Sequence, residues 1–180
     1  MYLNVSMDNP YLEIFSKHNN TIKIEEYASR RMKLVFKEIV PKDKNTYVSV
    51  KIVKSKENIF GIGLIDRKED PACKSYYSLC YDFSNGNIKD STFEKKGKEC
   101  RWRKMAPNAI SLKDSIVRME IDMVEGRVAY YCNNEWVCET VMPNYMQKCD
   151  LVVYLSVRSQ GDEFILNQEW ISYIYDVIYQ

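Results

Sequence analysis

The chain is poorest in histidine. His18 is the only one in 180 residues, so any His-based catalytic triad would have to rest on it, and little is left with which to complete a zinc site. It lies in Ser16-Lys17-His18-Asn19-Asn20, which reads as a polar, exposed turn. The six cysteines, Cys73, Cys80, Cys100, Cys132, Cys138 and Cys149, include no C-x-x-C pair. No metal is therefore expected, and the thiols read as reduced, several of them packed in a core as small hydrophobes. No apolar run approaches the roughly 18 residues that span a bilayer, so no membrane insertion is expected. The start, Met1 to Asp8, lacks a basic segment followed by an apolar one. A secretory signal is thus not expected, and the expected location is cytoplasmic, with the nucleus equally open. Without secretion, the N-x-[ST] matches at Asn4 and Asn19 are chance. Charge of one sign is also lacking. Lys plus Arg number 26 and Asp plus Glu 25, a balance that removes the electrostatic case for nucleic acid. Gly61-Ile62-Gly63 is a lone G-x-G with no helix-starting pattern behind it, so no phosphate-bearing cofactor is expected. No Gly, Ser or Pro linker and no internal repeat divides the chain. One domain over 1–180 is expected, with a lead-in at 1–19, a core at about 20–168 and a terminal strand at 169–180.

What the chain has in abundance is alternation. Ile22 and Ile24 alternate with polar neighbours, and Met32, Leu34 and Phe36 share one face. Val48, Val50 and Ile52 stand opposite Tyr47, Ser49 and Lys51. Val117, Met119, Ile121 and Met123 alternate with Ile116, Arg118, Glu120 and Asp122. Leu151, Val153, Leu155 and Val157 alternate with Val152, Tyr154 and Ser156. Period two puts one set on a core and turns the other outward. Turn residues fall between the runs, at Pro41 to Asn45, Ser84-Asn85-Gly86-Asn87, Glu125-Gly126, Asn133-Asn134 and Gln160-Gly161-Asp162. Short strands separated by turns, without intervening helices of ten or more residues, predict an all-β, two-sheet antiparallel sandwich with few or no helices. The tail Trp170 to Gln180 has helical spacing at Ile171, Ile174, Tyr175 and Ile178, yet its Ile, Tyr and Val content favours a strand. The longest loops are expected at Asp66 to Ser75 and Lys89 to Ser111, and long loops on a rigid sheet are where binding usually sits.

The order of these runs resembles the SPRY/B30.2 family, whose fold is a bent, concanavalin-like β-sandwich used for protein recognition. Four stretches carry the resemblance. Tyr47 to Ile52 opens an alternating strand with an aromatic. Asn58 to Ile65 leads through Gly61 and Gly63 into a short apolar core. Asp114 to Asp122 followed by Glu125 to Asn134 resembles the family's hairpin, which ends a strand in Asp, turns at Gly and returns through an aromatic pair. Leu151 to Val157 is similar to the strand that follows. Asn134 stands where the family usually has Gly, and Asn also tolerates positive φ. No Pro precedes Leu151. The loop after Val157 reads Arg158-Ser159-Gln160-Gly161 where the family often has an aromatic and Gly. The resemblance implies a non-catalytic protein-interaction module, an adaptor or regulatory subunit of a larger complex such as a ubiquitin ligase, with a protein or peptide partner.

Candidate contact residues follow. Arg101-Trp102-Arg103-Lys104, beside Lys95, Lys96 and Lys98, reads either as a basic aromatic grip for an acidic peptide or as core Trp102 with solvated neighbours. Tyr76, Tyr77, Tyr81 and Phe83 form an aromatic run in which alternation sets Tyr76 apart from Tyr77, Tyr81 and Phe83. In the resembling family a Tyr in this region often lines the ligand groove, which points to Tyr76 or Tyr81. Arg158 lies in a loop that often touches ligands there. The expected protein-binding set is Tyr76, Tyr81, Arg101, Trp102, Arg103 and Arg158, with Tyr and Trp supplying apolar area and Arg supplying bidentate contacts. Trp136 reads as hairpin packing and Trp170 as an anchor for the tail.

Two alternatives stay open. Glu120-Ile121-Asp122-Met123-Val124-Glu125 matches the E-x-D-x-x-E pattern of a β-sandwich glycoside hydrolase family. There a bulge brings the second Glu onto the face of the first, with carboxyls about 5 Å apart as nucleophile and acid/base. The plainer reading is a solvated strand face before a Gly turn. A carbohydrate-binding sandwich or a structural subunit of an assembly would use the same fold.

Overall fold

A computed structural model describes residues 15–18, 21–24, 32–58, 60–68, 78–94, 97–104, 112–157 and 160–166. Its strands in chain order are β1 (Phe15–His18), β2 (Thr21–Ile24), β3 (Met32–Ile39), β4 (Asn45–Lys54), β5 (Phe60–Asp66), β6 (Ser78–Asp82) and β7 (Asn87–Glu94). They continue as β8 (Gly97–Lys104), β9 (Ile116–Asp122), β10 (Arg127–Cys132), β11 (Glu135–Val141), β12 (Leu151–Val157) and β13 (Glu163–Leu166). One short helix, α1 (Asn144–Gln147), follows β11. The strands form a seven-stranded sheet in the order β1-β2-β13-β4-β9-β10-β11 and a six-stranded sheet in the order β3-β12-β5-β6-β7-β8, all pairs antiparallel.

The inner faces of the two sheets share one core. The seven-stranded sheet contributes Val48, Val50, Ile52, Val117, Met119, Ile121, Val128, Tyr130 and Phe164, and the six-stranded sheet Phe60, Ile62, Leu64, Leu79, Tyr81 and Leu155. The strict alternation of β9 and β10 appears as alternating burial, with every second side chain buried. An amide ladder joins β9 to both β4 and β10 without a break, so Tyr47, Glu120 and Ala129 lie in one row across three strands.

The centre of the six-stranded sheet departs from the expected pattern. Every residue of β5, β6 and β12 is buried. Val152 and Tyr154, expected to face outward, instead join Ile65 and Cys80 in a second apolar cluster, against which half-buried Val35 packs. The apolar content of the outer residues is the cause: a strand covered on both faces reads as a nearly continuous hydrophobic run. Gly63 lets β5 and β6 meet closely, since a Cβ there would overlap the Leu79 carbonyl and the Cys80 Cα. The lone G-x-G is thus a packing feature of the sheet.

A second departure lies in the expected loop from Lys89 to Ser111. Much of it is the β7–β8 hairpin, in register from Asn87 opposite Lys104 to Glu94 opposite Gly97. His18 ends β1 opposite Thr21 rather than lying in a turn. The tail, with Trp170, lies outside the described residues.

Candidate functional site

The β4–β5 turn, the β6–β7 turn, the approach to β9, the β10–β11 turn and the lead into β13 gather at one end of the sandwich. Six of the seven described positive-φ residues are there: Asn58, Gly86, Asp114, Asn133, Asn134 and Gly161; only Gly126 is at the other end. Asn, Asp and Gly occupy these left-handed positions at least cost. The turns are also tied to one another. The Leu112 N–H donates to Asn58 Oδ1 at 2.9 Å. The Ile116 N–H donates to Asn133 Oδ1 at 2.8 Å, and the Asn133 amide reaches Ser115 Oγ at 3.4 Å. The Lys56 N–H donates to Asp162 Oδ1 at 2.8 Å, although Lys56 and Asp162 belong to turns 106 residues apart in sequence. Asp162 is buried, and its own backbone carbonyl accepts the Ile24 N–H at 2.9 Å. In the β6–β7 turn, buried Asp82 accepts the Ser84 N–H at 3.0 Å and the Asn85 amide at 3.2 Å. Short polar side chains that replace backbone partners hold turns in one conformation.

The expected contact residues distribute unevenly about this end. Arg101, Trp102 and Arg103 lie on β8, opposite Asp90, Lys89 and Ile88, in the half of the strand nearer these turns. Arg158 and Tyr76 lie outside the described residues. The strand that Arg158 follows ends at Val157, opposite Phe60 at the same end. The strand that Tyr76 precedes begins at Ser78, opposite Ile65 at the far end. Those two anchor points are separated by five residues of β5, roughly 17 Å. Tyr81 is a correction: it is fully buried, in edge contact with Phe83 (ring centroids 4.7 Å) and stacked near Tyr130 (5.0 Å). It shares the inner face of β6 with Leu79 and lies against Phe83 in the core, and burial raises its phenol pKa far above the ordinary value. It offers no contact surface.

The opposite end carries a feature that residue-by-residue reading did not single out. On the outer face of the seven-stranded sheet a groove of about 520 Å³ runs across β4, β9, β10 and β11. Tyr47, Glu120, Ala129 and Glu139 line it in one row across the four strands, with Tyr131 and Arg127 flanking Ala129 along β10 and Asp122 near the end of β9. The small side chain of Ala129, in register with Glu120 on β9 and Glu139 on β11, makes the depression. Tyr131 is held by two neighbours. The Arg118 guanidinium lies 4.3 Å from its ring centroid, a cation–π distance. Its hydroxyl donates to Glu120, which raises the phenol pKa above the ordinary value. Arg118 also pairs with Glu120 at 3.3 Å, and Arg127 with Glu125 at 3.4 Å and Glu139 at 3.8 Å.

The E-x-D-x-x-E string resolves within this geometry. Glu120 and Asp122 share the outer face, as alternation predicts. The register of β9 runs unbroken, and no bulge carries Glu125 onto that face as the hydrolase arrangement needs. Glu125 sits in the turn, where its N–H donates to Asp122 Oδ1 at 2.8 Å and its carboxylate meets Arg127. Trp136, expected to pack in the hairpin, is exposed on the outer face opposite Tyr131. Among the described residues no group of three or more His, Cys, Asp and Glu is placed to hold a metal ion.

A bent antiparallel sandwich of seven and six strands, built on a β9–β10 hairpin and buried central strands, is the fold of SPRY domains. Three solved structures place the chain there. A human SPRY domain superposes with a TM-score of 0.66 at 16% identity over 86% of this chain and 94% of that one. The SPRY domain of human HERC1 superposes at 0.58 and 11% identity over 86% and 94%. The TRIM65 PSpry domain superposes at 0.57 and 9% identity over 86% and 85%. No protein-family model matches the sequence, and no curated protein matches it in sequence. The likeness is therefore one of fold, carried by pairing and burial at positions where few residues are identical.

Proposed function

We propose that the chain is a non-catalytic protein-interaction module that recognises a peptide or a protein surface through the turns at the Asn58 end of the sandwich. The observation that supports this reading is the set of side-chain-to-backbone hydrogen bonds that tie separate turns together at that end. A preformed rim pays little ordering cost when it binds, so a few anchors suffice for affinity. The anchors in this reading are Arg101, Trp102, Arg103 and Arg158. They would bring apolar area and bidentate donors to acidic or backbone groups of the partner. The fold shared with SPRY domains is consistent with a place as adaptor or regulatory subunit of a larger complex, of which a ubiquitin ligase is one kind.

The test is affinity capture from a lysate of the source organism with the wild-type chain and with a Trp102→Ala, Arg158→Ala variant whose circular dichroism is unchanged. A partner held by wild type and lost by the variant is the expected result. A partner held equally by both overturns recognition at this end.

A further inference from the structure

The outer face of β9, β10 and β11 differs from the rest of the described surface in two independent ways. The first is apolar exposure. Five large apolar side chains are exposed among the described residues, and four of them are on this ladder and its turn: Ile116 (44%), Val124 (65%), Trp136 (64%) and Val141 (66%). Trp136 and Val141 lie on β11, which pairs only with β10 among the described strands and so forms a sheet edge. Of these, Trp136 is opposite groove-lining Tyr131 and Val141 opposite groove-lining Arg127, and exposed apolar groups next to a groove mark interaction surfaces more often than scattered ones do. The second is charge. The ladder and its turns carry Glu120, Asp122, Glu125, Glu135 and Glu139 against Arg118 and Arg127. This acidic excess stands out on a chain whose formal net charge is +1. On β4 the nearest lysine of the face, Lys51, is opposite Ile116 at the other end of the ladder from the groove.

We infer that this face is a second docking surface, distinct from the turns at the Asn58 end, and that its occupant is an extended basic segment of a partner protein with apolar residues beside a Lys or Arg. The groove suits such a side chain: the aliphatic stem lies over Ala129 beside the Tyr131 ring, with Tyr47 across β9, and the cation reaches Glu120, Asp122 and Glu139. Aromatic rings and carboxylates together suit a cation with an apolar stem better than a neutral or anionic group. Trp136 and Val141 supply the desolvated contact for the flanking apolar residues.

The test is panning of a random peptide library displayed on phage against the full chain. Fluorescence anisotropy then measures the recovered peptides on wild type, a Glu120→Gln, Glu139→Gln variant and an Ala129→Leu variant. Recovered sequences are expected to carry Lys or Arg beside apolar residues. Affinity is expected to fall about ten-fold or more in the carboxamide variant and with added salt, as desolvated charge pairs dictate. Ala129→Leu fills the groove from an outer-face position while leaving the core untouched, so it reports on occupancy even where the double variant folds poorly. Recovery of no binder, of binders without enriched basic residues, or of binders indifferent to both variants overturns the proposal. So does concentration-dependent self-association, measured by sedimentation and abolished by Trp136→Ala, which assigns the face to a second copy of the chain. None of these outcomes bears on capture through Trp102 and Arg158, so the two surfaces stand or fall separately.

Discussion

The β5–β6–β12 centre of one sheet and the β9–β10–β11 ladder of the other are made of strands of similar length, yet they serve opposite ends. In the first, every side chain is buried, inward residues in the shared core and outward ones largely in the Ile65, Cys80, Val152 and Tyr154 cluster. In the second, alternate side chains remain accessible, and the outward row carries charge, aromatic rings and a groove. The contrast separates two tasks. Strands covered on both faces hold the sandwich together, and a strand with one wet face is free to carry a surface that varies without cost to the core.

The largest effect expected from breaking this contrast comes from Gly63→Ala. The added methyl meets the backbone of β6, which cannot move without parting the sheet, and destabilisation of about 3 kcal/mol or more is expected. Loss of soluble expression, or a collapsed midpoint in urea, checks it. Next comes a matched pair. Leu155→Ala in β12 opens a cavity between the sheets and should cost about 2–5 kcal/mol. Ile116→Ala, on the outer row of β9, should stay within about 0.5 kcal/mol. Equal losses in the two urea titrations would erase the distinction drawn between the regions.

The smallest effect near neutral pH concerns the buried thiol and phenols. Burial pushes the Cys138 thiol up from its ordinary 9.0 to about 12, and raises the Tyr130 and Tyr154 phenols well above theirs. Each group binds its proton more tightly folded than unfolded. Their contribution is fully present below about pH 9, then is lost as pH rises toward the folded values. Stability to urea should therefore be flat from about pH 7 to 8.5 and fall steadily above that. A flat profile into strong alkali would show that these groups are not buried in solution.

The sequence made the sandwich legible wherever a strand has one wet face. The runs at Val48 to Ile52 and Val117 to Met123 alternate because their two faces meet different solvents, and they fold as read. The positive-φ turn at Asn133-Asn134 is likewise visible in residue type. Where that contrast vanishes, reading fails for a physical reason. Val152 and Tyr154 read as outward because period two implies one exposed face, whereas both faces of β12 are covered. Tyr81, pointed to by the family resemblance, lies on the inner face that its alternation with Leu79 and Phe83 shares. The β7–β8 hairpin looked like a loop because Lys89 to Thr92 and Gly97 to Glu99 are polar, and a strand toward a sheet edge needs no apolar alternation. The groove was illegible for a different reason. Tyr47, Glu120, Ala129 and Glu139 belong to four strands, and only their lateral register makes them neighbours.

The position of β5 has a consequence on the time axis. It is hydrogen-bonded to β12 on one side and β6 on the other, and all its side chains are buried. Its amides can exchange with deuterium only when the whole sheet opens, so they should be the last protons to leave. Those of β11, at an edge among the described strands and with exposed side chains, should leave early through local fraying. A partner lying along β11 would then register as slowed exchange in the region with the most room to slow, while β5 would serve as an internal clock for global opening in the same experiment.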